Sequence, residues 1–273
     1  MRAFLERFGA VHWQPCRPHC RRRPGAGSAG GRRASPTPKD RVYSSAAFFI
    51  AYLIGSLSFA VIVSKLMGLS DPRSYGSKNP GATNVLRSGN KWAAVLTLLL
   101  DALKGWVPVM LVRWKSFELG FEDTTIAFVG VAAFLGHLFP IFFRFQGGKG
   151  VATAAGVLLA FEPLLGVGTL VTWALVAGLF RYASLASVAA ALFAPFYAML
   201  FFDRPRMSLA VTVMSLLLIW RHWRNITNLL RGKETKIGEK ATDPQRKRRR
   251  RDRRLHDDGG SSASSTSHHS KGN

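Results

Sequence analysis

Cysteine is nearly absent: Cys16 and Cys20 are the only two in 273 residues, so no disulfide framework holds the chain. With His12 and His19 nearby they form a Cys-x3-Cys in an arginine-rich stretch, a weak zinc signal for which unpaired thiols are the favoured reading. Acidic residues are scarce as well, 15 Asp and Glu against 38 Lys and Arg, which leaves a net charge of +23. Also missing are the short amphipathic runs of soluble domains. Apolar residues cluster instead, as in residues 46–69, AAFFIAYLIGSLSFAVIVSKLMGL, long enough at about 1.5 Å per residue to cross a hydrocarbon layer of roughly 30 Å. The expected fold class is an all-α polytopic membrane protein.

Both ends differ from this middle. Residues 1–41 hold ten Lys or Arg among Pro, Gly and Ser, and residues 241–273 run from RKRRRRDRR into SSASSTSHHS. Neither end can bury a core, so disordered basic tails are expected on either side of a membrane domain at 42–240. Basic clusters attract nucleic acid or anionic lipid. Lipid proximity or simple solvation is favoured, and no nucleic-acid partner is expected. The first tail lacks the short apolar core and small-residue cleavage site of a secretory signal. It is expected to stay attached, unless translation starts further along, near Val42.

Seven transmembrane helices are expected: 46–69, 92–114, 124–145, 151–161, 164–180, 183–202 and 208–220, with Glu162-Pro163 breaking the fourth from the fifth. Parity then gathers residues 70–91, 146–150, 181–187 and 221 onward on one side. That side carries thirteen Lys or Arg near the spans against eight on the other, and the positive-inside tendency places it in the cytoplasm.

Those segments hold the polar motifs. GSKNPGATNVLR, residues 76–87, combines turn-forming Pro80-Gly81 with small donors Ser77, Asn79, Thr83 and Asn84 and a cation, Arg87, able to grip phosphate with two parallel bonds. It reads equally as a phosphate loop or as a polar loop capping the next helix. QGGKGVAT, residues 146–153, leads Gly147, Gly148, Lys149 and Gly150 into a helix start, where free N–H groups favour an anion. The GxxxxGK[ST] spacing of a Walker loop is absent, yet phosphate cradling by the glycines and Lys149 is favoured over a plain hinge. Asp101 and Lys104 share a helix face within a span and are expected to pair, with Lys104 a further candidate for substrate phosphate. His137 is expected to be structural. His222 and Asn225, one turn apart past the last span, suit positioning or proton transfer. Arg181, Tyr182, Ser184 and Ser187 complete the ring.

In this order, with GSLSF near residue 55, DALKG in the second span, GHLFPIFFRFQGGKGVAT, RYASLAS and HWRN followed by GKE, the chain closely resembles the bacterial membrane glycerol-3-phosphate acyltransferases that use acyl phosphate, the PlsY family. The resemblance runs from about Tyr52 to Glu234. It implies a seven-helix enzyme of the bacterial inner membrane, without cofactor or metal, that moves a fatty acyl group from acyl phosphate to the sn-1 hydroxyl of glycerol 3-phosphate. The products are lysophosphatidic acid and phosphate. By motif position it implies catalytic roles for Ser77, Arg87, Lys149, His222 and Asn225. Substrate-phosphate binding falls to Asn79, Gly81, Thr83, Asn84, Gly147, Gly148, Gly150, Lys104 and Ser184. Glu234 matches the structural glutamate of the third motif. The proton acceptor is His222 or a substrate phosphate. Membrane lipid surrounds the protein, and a phosphotransacylase that makes acyl phosphate is a candidate partner. Two positions depart from the pattern: Ser58 stands where proline is usual, which softens a helix bend, and Lys78 where glycine is usual, which adds a cation beside Ser77.

Two rival readings stay open. A transporter of an organic phosphate would also place cations in a helical bundle, although no paired interrupted segments in corresponding halves are seen. A nucleic-acid-binding protein anchored by its helices is the other.

Overall fold

The computed structural model describes residues 38–239. The expected tails lie outside the described residues, apart from 38–41, which open the first helix. Ten α-helices follow one another with no strand among the described residues: α1 Pro38–Gly55, α2 Phe59–Leu66, α3 Ala82–Leu86, α4 Lys91–Leu119, α5 Asp123–Leu138, α6 Val151–Phe161, α7 Pro163–Phe180, α8 Ala183–Phe201, α9 Pro205–Arg221 and α10 Trp223–Leu230. A 3-10 turn, Ile141–Phe143, extends α5.

Large apolar side chains cover the outside. Leu164, Leu179, Met199, Leu209 and Leu216 are all exposed, whereas the interior holds many small residues, Ala132, Ala133, Ala160, Ala186 and Ala194 among them. This inversion of the soluble pattern belongs to helices solvated by lipid, which pack through small residues that let backbones approach. Four segments are long and apolar enough to span a bilayer: Lys91–Leu119, Asp123–Phe143, Pro163–Phe180 and Ala183–Phe201. The bent pair α1 and α2 makes a fifth if counted as one span. Seven crossings are expected from sequence, but the fourth expected span, α6, has only 11 residues, and α9 has 17. At about 1.5 Å per residue α6 rises only some 16 Å.

Two glycine crossings set the frame. On α1, a Cβ at Gly55 would collide with the backbone of Ala133, and on α5 one at Gly136 would collide with Tyr52 and Gly55. Gly105 of α4 and Gly156 of α6 stand in the same way against Thr153 and Ala102. The short α6 thus sits inside the bundle, and Arg113 of α4 donates to the carbonyls at its C-terminal end, Ala160 and Phe161, the latter at 2.9 Å. A helix end buried in an apolar setting needs such a partner.

The axis turns by 43° between α1 and α2. The break frees the carbonyl of Leu57, and Lys104 Nζ donates to it at 2.6 Å while also pairing with Asp101 Oδ1 at 2.7 Å.

Candidate active site

The segment before α3 is shaped by a buried amide. Asn84 Oδ1 accepts from the Ser77 N–H at 3.1 Å, and its Nδ2 donates to the carbonyls of Pro72 at 2.6 Å and Tyr75 at 3.2 Å. Three bonds from one side chain fold residues 72–84 into a compact loop in which Gly76 and Lys78 take left-handed backbones, φ 56° and 55°. Glycine adopts this freely; lysine does so at a cost. Ser77, Lys78 and Thr83 are exposed on the loop and the Ser77 hydroxyl makes no hydrogen bond among the described residues. Asn79 and Gly81 are half-buried in the same turn.

The GGKG segment lies under this loop. A Cβ at Gly148 would meet both the His137 ring and the Pro80 carbonyl, and one at Gly147 would meet the carbonyls of His137 and Leu138. The absence of side chains therefore lets three separate segments touch at one point. Gly150, at φ 84°, turns the chain into α6 against Phe134 and Leu138. Arg221, at the end of α9, donates to the carbonyls of Gly147 at 2.9 Å and Gly148 at 3.0 Å. Gly148 N–H is taken by the His137 carbonyl at 3.2 Å, whereas the N–H groups of Lys149 and Gly150 have no backbone acceptor outside the helix. Those donors stand at the N-terminus of α6, where an anion is favoured.

Lys149 Nζ donates to Asn225 Oδ1 at 2.5 Å; Asn225 Nδ2 donates to Glu234 Oε1 at 2.6 Å, and Ser184 Oγ donates to the same oxygen at 2.8 Å. Glu234 thereby fixes which way round the Asn225 amide points. Burial pushes the Lys149 ammonium down to about 8; Glu234 pulls it back up, and Arg87 and Arg221 lower it further. His222 sits at the junction of α9 and α10, 2% exposed, with Nδ1 2.8 Å from the Leu218 carbonyl. A carbonyl only accepts, so Nδ1 carries the proton and Nε2 keeps a lone pair. Burial, the Lys149 charge and Arg221 bring the imidazole to about 4 against the pull of that carbonyl, so it is neutral at physiological pH. Arg87 donates to the Thr235 hydroxyl across 148 residues of chain.

Lys149, Asn225, Glu234 and Ser184 are thus joined by hydrogen bonds, Arg87 is tied to the neighbouring Thr235, and Pro80 brings the Ser77 loop against Gly148. Three expected phosphate contacts have side chains committed to other partners. Lys104 is 3% exposed and committed to Asp101 and Leu57, because the helix break needs a donor inside the bundle. Asn84 is 3% exposed and turned inward, because its amide builds the loop. Ser184 directs its hydroxyl to Glu234, so it supports the site from behind. His137 contacts more than the backbone: its Nδ1 lies 3.1 Å from Thr153 Oγ1 and 3.7 Å from Asp101 Oδ1. Sequence reasoning missed the grip of Arg221 and the part of Thr235; their only signal is proximity to HWRN and GKE.

Comparisons with known proteins point to one family. A family profile described as Glycerol-3-phosphate acyltransferase matches residues 45–232. The glycerol-3-phosphate acyltransferase of Paraburkholderia phytofirmans is 62% identical over 191 residues, covering 70% of this chain and 89% of the relative. That of Albidiferax ferrireducens is 59% identical over 201 residues, 72% of this chain and 90% of the relative. The chain is also similar to the crystal structure of PlsY, an integral membrane glycerol 3-phosphate acyltransferase, in its glycerol 3-phosphate form. There the TM-score is 0.67 at 37% identity, covering 72% of this chain and 96% of that one. The lysophosphatidic acid form gives a TM-score of 0.65 at 36% identity, covering 71% and 95%.

Proposed function

The chain belongs to the glycerol-3-phosphate acyltransferase family, and from that premise we propose that this multi-pass membrane enzyme transfers a fatty acyl group from acyl phosphate to the sn-1 hydroxyl of glycerol 3-phosphate. The products are lysophosphatidic acid and inorganic phosphate. The observation that carries the reading is the meeting of Lys149, Asn225, Glu234, Arg87 and the Ser77 loop at one end of the bundle. Both substrates carry phosphate and one carries a long acyl chain. Cations held beside lipid-exposed helices suit that pair.

Acyl phosphate is a mixed anhydride and already activated. The glycerol oxygen attacks the acyl carbon, the bond from that carbon to the phosphate oxygen breaks, and phosphate leaves with the electron pair. Arg87 grips one phosphate with its planar fork and Lys149 meets the other as a point charge. Ser77 and the free N–H groups of Lys149 and Gly150 stabilise charge on the oxygens as it develops. An imidazole near 4 is a weak base, whereas a phosphate monoester has a second pKa of about 6. The hydroxyl proton therefore goes to a substrate phosphate, and His222 orders the site. No covalent acyl-serine forms. The bias of basic residues toward this side supports a site on the cytoplasmic face of the membrane, and a phosphotransacylase is the candidate supplier of the donor.

Purified protein is expected to release phosphate from palmitoyl phosphate only when glycerol 3-phosphate is present. Release without acceptor, or none with it, overturns the reading. In the same assay His222→Gln retains a pH profile of wild-type shape; loss of one limb would return the proton to the histidine.

A further inference from the structure

Residues 232–239 form no helix, yet they are pinned on both sides of Thr235. On one side Glu234 accepts from Ser184 and Asn225. On the other, the Ile237 N–H donates to the Arg181 carbonyl at 2.8 Å and the Lys236 ammonium lies 5.9 Å from the Tyr182 ring centre. The exposed Thr235 hydroxyl is therefore held in place by its neighbours. Among the described residues it is the one hydrogen-bond partner of the Arg87 guanidinium, through Nη2, and that guanidinium forms no ion pair there. The arginine stem reaches this point past Gly76, where a Cβ would stand 3.3 Å from Arg87 Cδ.

We propose that Thr235 is a positioning residue that orients the guanidinium of Arg87 for a substrate phosphate; the proposal rests on the acyl-transfer reading above. A guanidinium can bind phosphate through one edge only if its plane is fixed, and its long stem loses rotamer freedom in the process. A carboxylate tether would fix the plane but cancel the charge that the phosphate requires. A hydroxyl fixes it and leaves the charge intact. The neighbouring residue supplies the contrast: Glu234 carries the carboxylate, and it is turned to Ser184 and Asn225. Segment 232–239 thus serves two cations in two ways, supporting Lys149 through a carboxylate and an amide, and Arg87 through a neutral oxygen.

Steady-state kinetics on the full-length protein in detergent test this. Thr235→Val keeps the shape and removes the acceptor. It should raise KM for one of the two phosphate substrates by about fivefold, with kcat within about twofold and an unchanged Tm. Thr235→Ser should restore wild-type KM. In an Arg87→Lys background, which has no planar fork, the same Thr235→Val change should add nothing. Unchanged KM values in Thr235→Val, a Thr235→Ser variant as impaired as the valine, or full additivity with Arg87→Lys would each overturn the proposal. Failure of the wild-type protein to transfer the acyl group would instead strike the underlying function.

Discussion

Lys149 carries its charge conditionally. Its ammonium, brought down to about 8 by burial, is the protonated partner of Asn225 below that pH and becomes neutral as pH rises through it. In the proposed reaction the charged form meets phosphate, so kcat/KM should decline on the alkaline side with a midpoint near 8, far below the range of an ordinary lysine. Lys149→Arg keeps the cation at any accessible pH and should abolish that limb, at a lower plateau because the fork does not fit a point-charge site. A rate–pH profile of both proteins checks this; an alkaline limb that survives in the arginine variant would assign it to another group. Much of this residue-level chemistry is legible in the sequence, since glycines flanking a lysine at a helix start announce an anion site. Direction is not legible. Asn79, Thr83 and Asn84 look alike as spacing, and only the fold turns Asn84 inward to bind Ser77, Pro72 and Tyr75.

At the scale of elements, the break between α1 and α2 explains a pair that sequence reading could only half interpret. The three-residue spacing of Asp101 and Lys104 announces an ion pair, and they stand 2.7 Å apart. The second partner of Lys104, the Leu57 carbonyl, lies 47 positions away in the chain and leaves no mark on local pattern. Lys104→Met would strand the Asp101 carboxylate and the freed carbonyl together inside the bundle. Removing one member of a buried pair costs about 3–5 kcal/mol, so a large fall in Tm is expected, with KM for glycerol 3-phosphate unchanged in the protein that remains folded. Asp101→Leu combined with Lys104→Met, which removes both charges, should recover part of the loss. A rise in KM without loss of Tm would move Lys104 into the site. Helix α6 follows the same logic: at 11 residues it is too short for the span the hydropathy suggests. It persists because Arg113 satisfies its last carbonyls.

Across the whole molecule, every residue assigned to the proposed site lies within the described residues. The profile match begins at residue 45 and ends at 232, but the contacts of Glu234, Thr235 and Ile237 extend the required chain a few residues past it. Of the 38 Lys and Arg, 8 lie in residues 1–37 and 10 in residues 240–273, and the proposed substrate chemistry uses none of them. A chain of residues 38–239 should therefore transfer acyl groups in detergent with kcat/KM within about threefold of the full chain, because no tail cation is assigned to substrate and solvated charges are screened by salt. Ending the chain at residue 231 removes Glu234 and Thr235 together, which frees the Asn225 amide to rotate and releases Arg87. Activity should then fall by about a hundredfold or more while the helical bundle persists, since residues 232–239 contribute no helix. The two truncations separate the roles sharply: inactivity of 38–239 would give the basic tails a part in catalysis, and full activity of a chain ending at 231 would remove the C-terminal segment from the site.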